Sequence, residues 1–513
     1  MVIISSSHKV WPLFLVVASL MGKSTSLVIS TAQGRLRGVH RDGHVSYLGI
    51  PYASISSPFS RFKGAGLAPT WQGVRESDQR HCTAYSPVED CLHLDVHTPS
   101  SADSPWPVMV WVRGSSGQYN PGKLVKQSIV VVIVSHRMGP AGFLCMKDER
   151  IPGNAGAKDV VLALRWVRDN IVAFKGNPYK VVVAGQGFGA AMVEAIILSS
   201  MGDGLYHGAI LQSGSILSPW AFNYDATARG KTLARILSND DDSIATLLNT
   251  TIEELASKSE KLDVPYFPFG MCIEKYLKNE ELLIGESPYE MMKRKGGSVP
   301  MIVGYNSDEA YVFASVLTQS NVEKRMSDDL SFLLPEEMKF MKDGEVAQVA
   351  RQIQDAYFKD NHTLAAVLAY HRDAYFVNHI YRSVRRHSSA HSPVFFYQFS
   401  HVGDAGVLPE PGVDKIGAAF SDELAYLFTD DGRELEGRDK TAQENLIRIW
   451  TNFVKYLHPS PHGGQWQQME PSAPSLLDID HELKMKQFPH ARTARAWDDI
   501  YDKFYYNRHR SDE

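Results

Sequence analysis

The chain has 513 residues, 44% hydrophobic and 22% charged, with a formal net charge of −5. That balance is ordinary for a soluble globular protein, and the length allows one large core or a core with substantial insertions. An acidic balance without a basic stripe argues against nucleic acid as a partner.

At the N-terminus Lys9 precedes an apolar run from Val10 to Met21, and Ser24 and Ser26 suit a cleavage site just before Leu27. The pattern predicts a secretory signal peptide over residues 1–26. The run is short for a bilayer and has no later stop-transfer partner, so an uncleaved anchor is the lesser reading. A domain over residues 27–505 follows, then a polar tail at 506–513 with no retrieval, lipidation or GPI-type signal. The chain is therefore expected to be secreted and extracellular, with no membrane span. In an oxidising compartment Cys82 and Cys91 are close enough to close a small disulfide loop. Cys145, in the apolar text GFLC, and Cys272 read as free, with a second disulfide between them the lesser reading. Sequons at Asn249 and Asn361 predict glycosylation where exposed.

From Ile29 to Tyr52 the text predicts two or three antiparallel strands, with a turn at Asp42-Gly43. Residues 89–99 alternate as a strand. His93, Asp95 and His97 share one of its faces, which reads as a solvated polar face rather than a metal site. Val108–Val112 and Ile129–Val134 are near-continuous apolar runs, suited to strands buried on both sides in a parallel sheet. Residues 159–174 have helical spacing. Residues 181–192 read VVVAGQGFGAAM: a β-branched strand, a glycine-bracketed turn at Gly185-Gln186-Gly187-Phe188-Gly189, and a helix from Ala190 to Leu198. That is the setting of a nucleophile elbow, G-x-S-x-G, with glycine at the serine position.

Further strands are expected at Ala209–Gln212, Met301–Gly304 and Val394–Phe399. Helical insertions are expected over about 225–295 and 326–387, and helices at Thr441–Tyr456 and Ala494–Phe504. The alternation predicts an α/β fold with a large, mostly parallel sheet flanked by helices and preceded by N-terminal antiparallel strands. The Arg382, Arg385 and Arg386 cluster reads as a solvated helix face rather than an anion site. No pattern calls for a cofactor or a metal.

Several motifs then occur in one order: Gly49-Ile50-Pro51-Tyr52-Ala53, Glu89-Asp90-Cys91-Leu92, Gly139-Pro140-Ala141-Gly142-Phe143, Gly153-Asn154-Ala155-Gly156, Gln212-Ser213-Gly214-Ser215 and Trp450-Thr451-Asn452-Phe453. With them the chain resembles a type-B carboxylesterase of the cholinesterase family, an α/β-hydrolase, from about Thr31 to Tyr501. Gln186, before the nucleophile position, is similar to insect juvenile hormone esterases. The resemblance implies a serine, an acid and a histidine, in that order. The acid position falls on Glu309, but the serine position is Gly187 and the histidine position is Phe420. The oxyanion loop, glycine-rich in the family, here reads Arg113-Gly114-Ser115-Ser116, and Phe188 replaces a small residue whose N–H would be a further donor.

These changes remove the attacking oxygen and the proton carrier. In subtilisin, losing the serine or the histidine alone lowers kcat by about 2 × 10⁶. His136 and His207 are the histidines one would try as a relocated base, and neither has a sequence partner. The expectation is a catalytically inactive, carboxylesterase-like protein that binds an extracellular protein partner or a small apolar ligand. The ligand could sit in the former substrate gorge if Phe188 and Phe420 leave it open. The alternative is an ester hydrolase using displaced residues. A cholinesterase role is disfavoured, because the short Cys82–Cys91 loop contains no tryptophan.

Overall fold

The computed structural model describes residues 27–506, apart from 56, 58–59, 80–91, 102–104, 116, 118, 239–241, 263–267, 320–333, 336–337, 339–342, 360–362, 391, 409–412, 429–433 and 461–465. At its centre is an eleven-stranded sheet. In chain order the strands are β1 (Val39–Arg41), β2 (His44–Pro51), β3 (His93–Pro99), β4 (Trp106–Val112), β5 (Val130–Val134), β6 (Gly176–Gln186), β7 (Gly208–Gln212), β8 (Met301–Asn306), β9 (Val394–Phe399), β10 (Ser475–Ile479) and β11 (Leu483–Gln487). Across the sheet they lie in the order β11-β10-β9-β8-β7-β6-β4-β5-β3-β2-β1. Strands β4 to β10 pair in parallel. The N-terminal strands and β11 close the edges antiparallel. The expected turn at Asp42-Gly43 joins β1 to β2. A separate small sheet holds Val28–Ser30, Arg35–Arg37 and Val74–Glu76.

The apolar runs explain the layering. Every residue of Val108–Val112 is fully buried, and alternate residues serve opposite faces. Val108, Val110 and Val112 join one apolar cluster, and Met109 and Trp111 join the other. Helices α1 (Ala155–Asn170), α2 (Phe188–Leu198) and α3 (Asn378–Ser389) cover the first face; α4 (Gly437–Tyr456) covers the second, with Leu446, Trp450 and Phe453. α5 (Ala491–Ile500) packs on α3.

Helix α2, FGAAMVEAIIL, is apolar nearly all round and accordingly buried from Gly189 to Leu198. Its one charge, Glu194, is fully buried and fully served. Ser215 Oγ and the Ile216 N–H donate to one oxygen at 2.7 Å each. Ser383 Oγ and His387 Nε2 reach the other. Those partners hold its carboxyl below the usual range against the opposing effect of burial.

Three expectations are corrected. Cys145 and Cys272 are not free; they form a disulfide across a separation of 127 residues. Asn154 aligns them, since its side chain both donates to Cys272 O and accepts from Cys272 N, each at 2.9 Å. A Cβ on Gly153 (φ +109°) would come within 2.7 Å of both sulfurs. Asp95 and His97 are not solvated: β3 is an interior strand, so its polar face is covered. Asp95 accepts the Gly49 N–H at 2.9 Å, and His97 Nδ1 meets Ser46 Oγ at 2.9 Å. Arg382 is 4% exposed. It pairs with Asp498 of α5 at 3.0 Å and Asp502 at 2.9 Å, and Arg385 reaches Asp498 at 2.6 Å. Arg382 thus docks the C-terminal helix instead of facing water and Arg385 is half-buried against it, whereas Arg386 stays exposed as expected. Residues 1–26 and 507–513, Cys82, Cys91 and Asn361 lie outside the described residues. Asn249 is exposed at the end of a short helix.

Candidate functional site

Strand β6 delivers the chain to Gly187 at the C-terminal edge of the sheet, and α2 starts at the next residue. Gly187 has φ +58° and ψ −121°, a conformation that costs a residue with a Cβ about 1–3 kcal/mol. Its N–H donates to Gln212 O of β7 at 2.8 Å, which fixes the turn. Gly189 is needed for a different reason: a Cβ there would lie 2.4 Å from Val112 O. The turn thus keeps the elbow's backbone.

The place where an elbow side chain would project is filled. A Cβ built on Gly187 lies 2.7 Å from Phe420 Cζ, well inside contact distance. Phe420 also packs against Phe376, ring centroids 5.4 Å apart. The two residues, 187 and 420, are therefore shaped to each other.

Glu309 sits just after β8, fully buried. Its Oε1 accepts the Asn306 N–H at 2.7 Å; its Oε2 has no hydrogen-bond partner among the described residues. The Asn306 side chain links the site together, donating to Ala419 O at 2.6 Å and to Glu423 Oε2. Glu423 Oε1 accepts from Gln212 Nε2 at 3.0 Å, whose Oε1 accepts the Trp450 N–H at 2.8 Å. Burial, then the neighbouring Glu423 carboxyl, push Glu309 well above the ordinary carboxylate range. Glu423 is pushed up to about 7, again chiefly by burial and despite two amide donors. Two buried carboxyls that face no cation among the described residues are held toward their neutral forms.

A cavity of about 390 Å³ opens beside the elbow. Its walls include Phe188, Trp220, Phe269, Phe313, Phe376 and Phe420. No Asp, Glu, His, Lys or Arg lines it among the described residues. The Trp220 N–H is spent on Tyr375 O at 2.8 Å, so the indole offers only an apolar face. Phe188 turns its ring onto Phe143, 4.8 Å away and edge-on, so it walls the cavity without filling it. The polar exceptions are Gln186, Ser115 and Ser259 with the Gly114 backbone. Ser115 Oγ lies 3.3 Å from Tyr119 OH; Ser116 is outside the described residues.

Among the described residues neither candidate base is seen to hydrogen-bond a serine. His136 is buried, with both ring nitrogens turned to backbone carbonyls: Arg113 O at 2.8 Å and Arg137 O at 3.1 Å. Burial lowers its pKa. His207 precedes β7, at the sheet edge opposite the elbow. Glu423 and Gln212 are site residues that the sequence reading had not singled out. The signal that could have found them was their place beside already chosen positions: Glu423 three residues after Phe420, and Gln212 at the end of the strand paired to β6.

Comparisons with known proteins bear on the family and the fold. A family model described as the carboxylesterase family matches residues 25–497. The chain is 28% identical to pyrethroid hydrolase Ces2e of Rattus norvegicus, over 95% of this chain and 92% of that protein. It is 25% identical to juvenile hormone esterase of Heliothis virescens, over 85% and 86%. The crystal structure of juvenile hormone esterase from Manduca sexta, with OTFP covalently attached, superposes with a TM-score of 0.85 at 24% identity, covering 93% of this chain and all of that one. That likeness carries the fold.

Proposed function

The chain belongs to the carboxylesterase family, and from that premise we propose that it is a secreted, catalytically inactive member that holds a small, uncharged, apolar ligand in the cavity beside Gly187. The observation that carries this reading is the fit of Phe420 against Gly187, with 2.7 Å left to a Cβ. Acyl transfer needs an attacking oxygen and a group that takes its proton. Position 187 offers a hydrogen, and position 420 a hydrocarbon ring. Glu309 remains, but buried, facing no cation among the described residues and held toward its neutral form.

The ligand class follows from the walls. A cavity of about 390 Å³ lies within the range of about 300–1,000 Å³ usual for small-molecule sites. A charged ligand would lose its hydration with no described counter-charge to replace it. The cavity favours such a ligand over an extracellular protein partner. The Cys145–Cys272 disulfide supports an oxidising compartment. Among the described residues no helix is long and apolar enough to cross a membrane.

The test is binding. The full chain, produced by a secretory host, is titrated with a neutral fluorescent probe such as 1-aminoanthracene, and its solvent extract is weighed for co-purified neutral lipids. One probe per chain is expected. Ala256→Trp, at the exposed mouth, should weaken binding at least about tenfold, since it blocks entry to a preformed pocket. A chain that ignores the probe, or binding that Ala256→Trp leaves unchanged, contradicts the proposal.

A further inference from the structure

A second cluster lies on the same edge of the sheet, away from the cavity. Strands β9 and β10 run parallel with Phe399 opposite Ile479. The residues just beyond that pair leave the sheet side by side: His401 from β9, and Asp480 and His481 from the turn between β10 and β11. Their ligand atoms all lie within 4.8 Å of one another. His401 Nδ1 is 2.6 Å from Asp480 Oδ1, and His481 Nδ1 is 3.0 Å from the same oxygen. The far nitrogen of His401, Nε2, is 2.7 Å from Asp439 Oδ1 in the first turn of α4. The Asp404 N–H donates to the other Asp439 oxygen at 3.0 Å.

Hydrogen bonds alone serve this arrangement poorly. Asp480 Oδ1 would have to accept from both imidazoles and from the His481 N–H at 2.7 Å, three donors on one oxygen. A divalent cation between the two rings and the carboxylate takes the place of the two imidazole donors and relieves that crowding. We propose that His401 Nδ1, the Asp480 carboxylate and the His481 imidazole bind a divalent transition metal, zinc in the first instance. Two imidazoles and a carboxylate are a donor set that zinc takes readily. A carboxylate behind a ligating histidine, the place of Asp439, fixes its ring and tautomer.

Exposure is graded as such a site requires. The side chain of His401 is 4% exposed and that of Asp439 16%, while His481 and Asp480 keep 30% and 33%. One side is fixed and the other is open to solvent. None of the four lines the apolar cavity. The metal would act as a clip joining the end of β9, the β10–β11 turn and the start of α4, and takes no part in ligand binding at the elbow.

The experiment uses the tag-free full chain, stripped with a chelator and dialysed, then titrated with zinc by calorimetry at neutral pH and with cobalt by absorption. The expected results are one zinc per chain, a raised unfolding midpoint on zinc addition, and at least about tenfold weaker binding in His481→Ala and in Asp439→Asn. His481→Ala removes a partly exposed ligand and leaves the buried His401–Asp439 contact, so its fold is checked by its metal-free midpoint. A folded natural chain that takes up no zinc, or zinc binding unmoved by His481→Ala, overturns the assignment.

Discussion

Replacing Gly187 by serine puts a hydroxyl at the position that the resemblance assigns to the nucleophile, and on this structure it should destabilise the protein. Two costs are visible. The backbone at φ +58°, ψ −121° is strained for any residue with a Cβ, by about 1–3 kcal/mol. The new Cβ would meet Phe420 Cζ at 2.7 Å and the next ring carbon at 3.3 Å. Forcing a side chain into a packed site of this kind costs about 1–3 kcal/mol more. An unfolding entropy of about 2.1 cal/mol/K per residue gives a domain of this size roughly 1 kcal/mol/K, so the midpoint should fall by about 2–6 °C. Thermal unfolding at matched scan rates, backed by denaturant titration, measures it. Phe420→His supplies the control. The closest contact is the para carbon, which an imidazole lacks, so Gly187→Ser/Phe420→His should cost less than the two single changes added, by about 1 kcal/mol. An unchanged or raised midpoint in Gly187→Ser, or strict additivity, would refute the reasoning.

The buried acids predict a pH dependence. Glu309 and Glu423 have raised folded-state pKa values, so the fold holds protons that the unfolded chain has released. Their contribution is fully present below the unfolded value of about 4.3 and is lost as pH climbs through the folded values, about 7 for Glu423. Glu309→Gln, which mimics the neutral acid, should flatten this decline and raise the denaturant midpoint at pH 8; a lowered midpoint there would count against it. Replacing Cys145 and Cys272 together by alanine should cost about 2–4 kcal/mol by denaturant titration, because the bridge closes a long loop of the unfolded chain. A loss below about 1 kcal/mol would be evidence against that account. Asn249→Gln should remove one glycan from the secreted chain by mass, with little change in stability, since its side chain is exposed; an unaltered mass would show that the sequon is not used.

The parallel strands and the elbow were legible because their signals are local. A run such as VVVIV can be buried on two faces, and a strand that enters a helix through three glycines has few other uses. Gly187 and Phe420 could be named from motif order, but their mutual fit could not, because 233 residues of chain separate them. The misses share that cause. Cys145 reads as a small apolar residue until the fold brings Cys272 to it. Arg382 and Arg385 read as a water-facing stripe until Asp498 arrives from α5. Asp95 and His97 alternate as a half-exposed strand would, and only the sheet order reveals that β3 is interior. His401 carries no motif; its companions follow 79 residues later, placed beside it by strand register alone.

The central claim is that the natural chain has no serine able to attack an ester. Intact-mass spectrometry after incubation with a fluorophosphonate tests it most directly. The account predicts an unchanged mass for the natural chain, and an adduct at residue 187 in the Gly187→Ser/Phe420→His protein. A phosphonylated serine on the natural chain would contradict it.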